Sequence, residues 1–475
     1  MPSTPNRAWP LLLALPSLLI YGIVHLAVWP AQMSPDSIDQ WGQMTSWQWD
    51  DVHPVSATLI NYLAFLVYPS PASVAIAQYV ALSLVTGLLF AETIKWGVRP
   101  VFAVIAALLF PLFLPNALMV TTLWKDVPFG ICVLLLTGLT LSAVRQRWSI
   151  GRWHWAAMIA AGVVMVAVRH NGIIATALFF AIVALAIRPA RLPASVGLAV
   201  QLVAFAATKT VLLALLNAQP QPAELRAIVT LPFLGAALEQ NLIDDPADRQ
   251  MLLDIAPLDA WAAIPCGTAV PFYFREPRLD REKLALHATE MFGLALRTAM
   301  AHRRAFLEQE LCMTGLFWRP WATPGERLRI APLGIAALPE NAALGLAEAS
   351  RLPALRTWIA AVHKSVFVNS TVYNRPATML IAAAVVLAAI GWLIHRGLWV
   401  LALPAALNVV SLAALIQSQE YRFVWPSVAA SLFIILFGLG LPASGRFGRR
   451  AAATGSPASA SDHGSTPATV SAGAE

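Results

Sequence analysis

Five short polar segments hold most of the chemistry available to a chain in which only 12% of 475 residues are charged. The first, MSPDSIDQWGQMTSWQWDDVHP at 33–54, follows a long apolar stretch and carries Asp36, Asp39, Asp50, Asp51 and His53. A carboxylate beside a hydrocarbon boundary is expensive to bury, so acids clustered there are expected to face a wet cavity, a cation or a substrate. Such a group can take a proton from a hydroxyl as general base, or help to hold a divalent cation. Pro35 and Ser37 beside Asp36 predict a tight turn that fixes this acid at the membrane exit. Asp39 reads as a solvated loop acid, and Trp41, Trp47 and Trp49 fit an interfacial belt. VSATLINYLAFLVYP, after DDVHP, is short of a full span and reads as an interfacial or re-entrant helix.

The other four segments are smaller. TTLWKDVPFG brings Lys125 and Asp126 to the start of an apolar window. Trp124 and Lys125 alone would make an interfacial anchor, but an acid snorkels poorly, and Asp126 with Asp36 would form a carboxylate pair drawn from two loops. VRHNG supplies Arg169 and His170; the planar guanidinium fork suits a phosphate, and pairing with lipid headgroups is the plain alternative. SQEYRF supplies Glu420, Tyr421 and Arg422, where the plain alternative is an internal Glu420–Arg422 salt bridge. VYNRP supplies Tyr373, Asn374 and Arg375, with Pro376 opening a helix.

The elements that must position these residues are apolar helices. With 58% hydrophobic residues and a mean hydropathy of +0.66, the chain is an integral membrane protein. Apolar windows at 9–30, 72–94, 99–118, 127–144, 153–168, 172–188, 193–215, 376–394, 398–416 and 423–442 predict about ten spanning helices. The first window, flanked by Arg7 and without a clear cleavage site, reads as a retained anchor.

With the N-terminus in the cytoplasm, Lys95, Arg99, Arg145, Arg147, Arg152, Arg188, Arg191, Arg396, Arg446, Arg449 and Arg450 all fall inside. The same count places all five polar segments on the extracytoplasmic face. The division expected is an N-terminal membrane module at 1–216 with its first outer loop at 31–71, an extracytoplasmic loop domain at 217–375, C-terminal spans at 376–445, and a disordered cytoplasmic tail at 446–475 rich in Ala, Ser and Gly.

The net charge of +7 is concentrated in loops that orient the spans, and acids balance bases in 217–375, so a nucleic-acid surface is not expected. GxGxxG, Walker and GxSxG motifs are absent, which removes nucleotide-cradling and nucleophile-elbow chemistry. Three cysteines give no metal spacing. Cys132 reads as a packing residue, while Cys266 and Cys312 share the large loop, where sequence leaves open whether they pair. Lys209 is the one basic residue deep in a window.

Taken in order and sidedness, MSPDSIDQW with DDVHP, LWKD, RHNG and EYR resemble the GT-C superfamily of multi-spanning glycosyltransferases that use lipid-phosphate-linked sugars. The nearest pattern is that of bacterial members distantly similar to protein O-mannosyltransferases and the aminoarabinose transferase of lipid A, over residues 9–215 and 376–442. The resemblance implies an all-α, GT-C-like fold and an enzyme that moves a hexosyl or pentosyl group from a polyprenyl-phosphate donor to a lipid, glycan or protein acceptor. The site would lie on the outer face of a bacterial inner membrane, with both termini cytoplasmic.

By the same resemblance the catalytic base maps onto Asp36, with Asp50 and Asp51 as runners-up, and Asp126 stands where an assisting acid belongs. Lys125, Arg169, His170, Arg422, Tyr421, His53 and Arg375 would bind the substrate. The plain Asp-Glu pair of the mannosyltransferases is missing from the first loop, so the choice of base stays open; if a divalent cation is required, Asp36 and Asp126 would be its ligands. A surface-glycan polymerase or ligase, and a lipid or glycolipid transporter, are the competing classes.

Overall fold

The computed structural model describes residues 8–322, 328, 330–368 and 375–441. Tyr373, Asn374 and the tail expected at 446–475 lie outside the described residues. Ten helices build the first half: α1 Trp9–Ala27, α2 Pro35–Ser46, α3 Val55–Val67, α4 Pro71–Lys95, α5 Pro100–Leu112, α6 Leu114–Val120, α7 Asp126–Arg145, α8 Arg152–Val168, α9 Gly172–Ala186 and α10 Arg191–Ala207. Helices Pro376–Leu393, Leu403–Leu415 and Tyr421–Gly440 close the bundle. Among the described residues there are no strands, only isolated bridges.

Among the described residues, seven helices are long and apolar enough to cross a membrane, or eight if α5 and α6 count as one bent span. The chain is therefore a helical, multi-pass membrane protein. The 62° bend between α5 and α6 has a local cause. Phe113, the residue between the two helices, is extended, and Pro115 falls in the first turn of α6, where its missing amide leaves no helical hydrogen bond unmade. Helices α8 and α9, with 17 and 15 residues, are apolar but shorter than any of those seven.

The main core lies where α4, α7 and Tyr421–Gly440 meet, with α1 packed along α4. Phe90, Phe110, Phe433 and Phe437 fill it with edge-on and stacked ring contacts. One close approach fixes the register of α7 against the last helix: a Cβ on Gly130 would lie 2.4 Å from the Trp425 ring. The Trp425 Nε1–H donates to Asn116 Oδ1 at 2.9 Å, so the indole is held from both sides. Since Asp126 is one turn before Gly130 and Arg422 one turn before Trp425, this contact delivers both charged groups to the same end of the bundle.

The segment 217–318 folds into short helices around a core of its own, including Leu231, Leu252, Trp261, Phe272, Leu284 and Met291. Cys266 and Cys312 form a disulfide within it. The chain from 330 to 351 then returns to the bundle. Met33 N–H donates to Gly334 O, Ala336 N–H to Met33 O, Ala349 N–H to Trp29 O and Arg351 N–H to Leu26 O, which covers the link between α1 and α2.

Two sequence expectations are revised. SPDS is a helix start rather than a tight turn: Ser34 caps α2, the Ser37 side chain reaches back to the Ser34 amide, and Pro35 opens the first turn. Of the three tryptophans expected at an interface, Trp41 and Trp49 are buried in a small core with Met33, Ile38 and Leu123, and only Trp47 is exposed. A belt of exposed indoles is replaced by a packed cap, because α2 folds back on α3 and on the 330–351 return.

Candidate functional site

Gln32 brings the first two charged segments together. Its backbone pairs with the α6–α7 link through Gln32 N–H to Thr121 O and Leu123 N–H to Gln32 O, each at 3.0 Å, in a parallel bridge with Thr122. Its buried side chain donates to Leu118 O and Thr121 Oγ1, both at 2.8 Å, and accepts from Leu333 N–H at 3.0 Å. Gln32 and Thr122 each stand four residues before an acid of interest, Asp36 and Asp126. The bridge therefore lays the N-termini of α2 and α7 side by side, and Trp124 Nε1–H donating to Ser34 Oγ at 2.7 Å ties them again.

Around that junction the ionisable groups converge. Arg422 Nη1 donates to Asp36 Oδ2 at 2.6 Å, and Arg422 Nε lies 2.5 Å from Glu420 Oε2. The guanidinium is framed by the rings of Trp124 and Phe423, with centroids 5.1 and 4.9 Å away. Arg169 Nη1 lies 3.1 Å from Asp126 Oδ1 and is framed by Phe129 and Phe423, at 5.1 and 5.3 Å. Phe423 thus separates two stacked guanidiniums. Lys125 Nζ donates to His53 Nδ1 at 2.7 Å, which leaves the proton of the neutral ring on Nε2, 3.9 Å from Asp36 Oδ1.

Exposure falls along this array: 36% for the Glu420 side chain, 29% for Asp36, 12% for Arg422, 6% for Arg169 and none for Asp126. The cluster is open at one lip and closed at its floor. At the floor, the Arg169–Asp126 contact runs off the N–H direction, and neither carboxylate oxygen of Asp126 accepts a hydrogen bond. The acid is electrostatically paired yet keeps its acceptor capacity.

A second group adjoins the first. Lys209 Nζ reaches Asp51 Oδ2 at 2.5 Å and His170 Nδ1 at 2.6 Å. Lys209 sits in a π-helical turn, Thr208–Leu212, which interrupts the helical register after α10; such bulges recur at functional sites. Asp51 Oδ1 also accepts from Val55 N–H, fixing the start of α3.

The protonation states follow from these neighbours. Burial pushes the Asp36 carboxyl up, but Arg422, His53 and Lys125 outweigh it and hold it well below the usual carboxylate range. Burial lowers His53, and the Lys125 ammonium lowers it further, to about 3, against the pull of Asp36. Burial and then Lys209 bring His170 down to about 4. Burial also lowers Lys125, opposed by Asp36 and Asp126. The arrangement is an ionised carboxylate, two buried guanidiniums and two neutral imidazoles.

Asp36, His53, Lys125, Asp126, Arg169 and Arg422 are thus brought into one cluster, with Asp51 and His170 in its neighbour. Arg169 is buried against Asp126 and does not face lipid headgroups. The local Glu420–Arg422 pair is present, and Arg422 reaches Asp36 as well. Asp50 is occupied elsewhere: it caps its own turn by accepting from Val52 N–H, and its backbone bridges to Gln219. Asp39 is exposed and accepts from Gln43. Tyr421 is fully buried in the first turn of the last helix, and Arg375 is buried at the N-cap of Pro376–Leu393.

Gln32, a neutral amide, carries no outward signal of its role in the sequence, and Lys209 is marked there only by its depth in an apolar window. Among the described residues no group of three His, Cys, Asp or Glu side chains is arranged to hold a metal ion. Asp36 and Asp126 each face a guanidinium, so this donor set does not fit a divalent cation.

Fold and site together define a multi-pass helical membrane protein with a buried, charge-compensated polar cluster at one end of its bundle. Comparisons with protein-family models, with curated proteins and with solved structures find no match to this chain.

Proposed function

We propose that this chain is a membrane glycosyltransferase of GT-C-like architecture, which moves a sugar from a polyprenyl-phosphate carrier to an acceptor hydroxyl on the outer face of a bacterial inner membrane. The observation that carries this reading is Arg422 bridging Asp36 and Glu420 beside Arg169–Asp126. Two guanidiniums and a lysine gathered at one end of the bundle would suit the phosphate of a carrier whose chain lies in the bilayer. The ten-span count, with α8, α9 and the bent pair as spans and both termini cytoplasmic, belongs to this proposal.

In the reaction, the acceptor oxygen attacks the anomeric carbon as Asp36 takes its proton, and the bond from that carbon to the phosphate oxygen breaks. The electron pair leaves with the polyprenyl phosphate. Arg169, Arg422 and Lys125 hold the leaving oxygens and stabilise the charge that develops on them. Asp36 is a weak base while Arg422 grips it. An entering phosphate competes for that guanidinium, loosens the pair and raises the basicity of Asp36 when the donor is in place. No divalent cation enters this mechanism.

The test incubates purified protein with a panel of polyprenyl-phosphate sugars and measures released polyprenyl phosphate. Wild type releases it with at least one donor, and Asp36→Asn falls by about 10²–10⁴-fold. If no donor on the panel is consumed, or Asp36→Asn matches wild type on one that is, the assignment fails.

A further inference from the structure

The loop that delivers Glu420 and Arg422 is gripped from outside the membrane core. Residues 416–420 join Leu403–Leu415 to Tyr421–Gly440, and the grip comes from the two chain segments tied by the Cys266–Cys312 disulfide. On one segment, Ala269 N–H donates to Gln417 O and Gly267 O accepts from Gln419 N–H, each at 3.0 Å, in an antiparallel bridge of Thr268 with Ser418. On the other, Cys312 O accepts from Gln419 Nε2 at 2.6 Å. The two segments are cross-tied again by the buried Gln309, whose Nε2 donates to Cys266 O at 3.0 Å. A Cβ on Gly267 would stand 3.0 Å from Gln419 Nε2, so any larger residue there would press the amide out of its present position.

Gln419 is thus the side chain of the 416–420 loop that reaches across to the segment on the far side of the disulfide, and it stands three residues before Arg422. Directly after it, Glu420 N–H turns back onto Ser418 O, and the Glu420 carboxylate meets Arg422 Nε. The extracytoplasmic disulfide is therefore two short links from the guanidinium that pairs with Asp36.

We infer that Gln419 is a positioning residue, through which the Cys266–Cys312 disulfide holds Arg422 in the geometry that receives the carrier phosphate. This rests on the proposed function for the phosphate, and on the contacts alone for the coupling. The disulfide's work is at the loop: with the bond cut, the 266–269 and 312 carbonyls separate, Gln419 loses one of its two attachments and Arg422 loses its fixed origin.

The experiment uses the full chain in lipid nanodiscs, in four forms: oxidised, reduced with the free thiols counted, Gln419→Ala with the disulfide intact, and Gly267→Ala. Amide hydrogen exchange over 417–423 and affinity for a polyprenyl monophosphate are measured on each. Reduction and Gln419→Ala each raise exchange over 417–423 and weaken phosphate affinity by about tenfold, the scale of one or two lost hydrogen bonds. Exchange in α1 and α4 stays at its oxidised level, and reoxidation restores both readouts. Gly267→Ala gives a smaller shift of the same sign.

Exchange over 417–423 that is the same in oxidised, reduced and Gln419→Ala protein overturns the inference. So does exchange that rises while affinity holds, since the loop would then move without moving Arg422. An Arg422→Gln control that binds the phosphate like wild type defeats the proposed function instead, and leaves the exchange readout to judge the coupling.

Discussion

Two ends of the same bundle carry buried charge and use it differently. At the end opposite the cluster, Glu92 of α4 accepts from Lys95, three residues on in the same helix, at 2.9 Å, and from Arg145 of α7 at 2.5 Å. The acid is buried while the Lys95 side chain is about two-fifths exposed, so the charge is shared with water. At the site end both guanidiniums are buried and sandwiched by aromatic rings, Asp126 is buried with them, and the groups come from α2, α7, the α8–α9 link and the last helix. The first arrangement clips neighbouring helices together. The second holds charge away from water at considerable desolvation cost, which a purely structural contact does not require.

Mutations at both ends sharpen that contrast, and the largest effect is expected at Asp36. Asp36→Asn should lower turnover of a polyprenyl-phosphate sugar by about 10²–10⁴-fold with the fold intact by thermal melting. Arg422→Gln and Arg169→Gln should each cost roughly 10²–10³-fold if, as proposed, each guanidinium donates to the leaving phosphate. Glu92→Gln, at the other end, should leave turnover within about twofold and lower only stability, by about 1–3 kcal/mol for the two cations left behind. Comparable losses of turnover at both ends would show that the two charge clusters do not differ in role.

The packing that delivers Asp126 and Arg422 together should show up as stability. Trp425→Ala removes an indole buried against Gly130 and strands the Asn116 carbonyl, and should cost about 3–5 kcal/mol in a thermal or denaturant melt. A loss under about 1 kcal/mol would mean the register is set elsewhere.

Acid should weaken the site end in a defined window. His53 and His170 have folded pKa values near 3 and 4, below the ordinary histidine value of about 6.5, so in that interval the unfolded chain binds more protons than the folded one. Their contribution is present above about pH 6.5 and is lost as pH falls towards 4 and then 3. Asp36, held low, adds a loss that sets in only below the ordinary carboxylate range. Melting temperature should therefore fall between pH 6.5 and 4, and His53→Gln should flatten that slope. An unchanged slope would show that His53 is not buried neutral. The smallest effect is expected at Asp39→Asn, whose exposed side chain reaches only Gln43: turnover within about twofold of wild type.

Charge was legible in this sequence because it is rare. Asp36, Lys125, Asp126, Arg169 and Arg422 stand out in an apolar chain, and hydrophobic windows placed the long spans within a few residues. What the sequence concealed are contacts whose meaning is tertiary. Gln32 is an ordinary amide until its neighbours are known, Gly130 is one glycine among 26, and nothing local announces that 330–351 returns to α1. The SPDS start of α2 was readable, since Ser before Pro with a hydroxyl three residues on is a capping pattern, but the turn propensity of the same residues pointed the other way. The short helices α8 and α9 matched their windows and still fall below the length of a full span, because helix ends are set by Gly151, Arg169 and Asn171 rather than by hydropathy.

The most direct measurement of the central claim separates holding the phosphate from using the base: affinity for a polyprenyl monophosphate, side by side with turnover, for wild type, Arg422→Gln and Asp36→Asn. The account predicts that Arg422→Gln loses both, while Asp36→Asn keeps or tightens affinity, having lost the carboxylate that competes for Arg422, and yet does not turn over. Arg422→Gln binding like wild type, or Asp36→Asn transferring sugar at the normal rate, would contradict it.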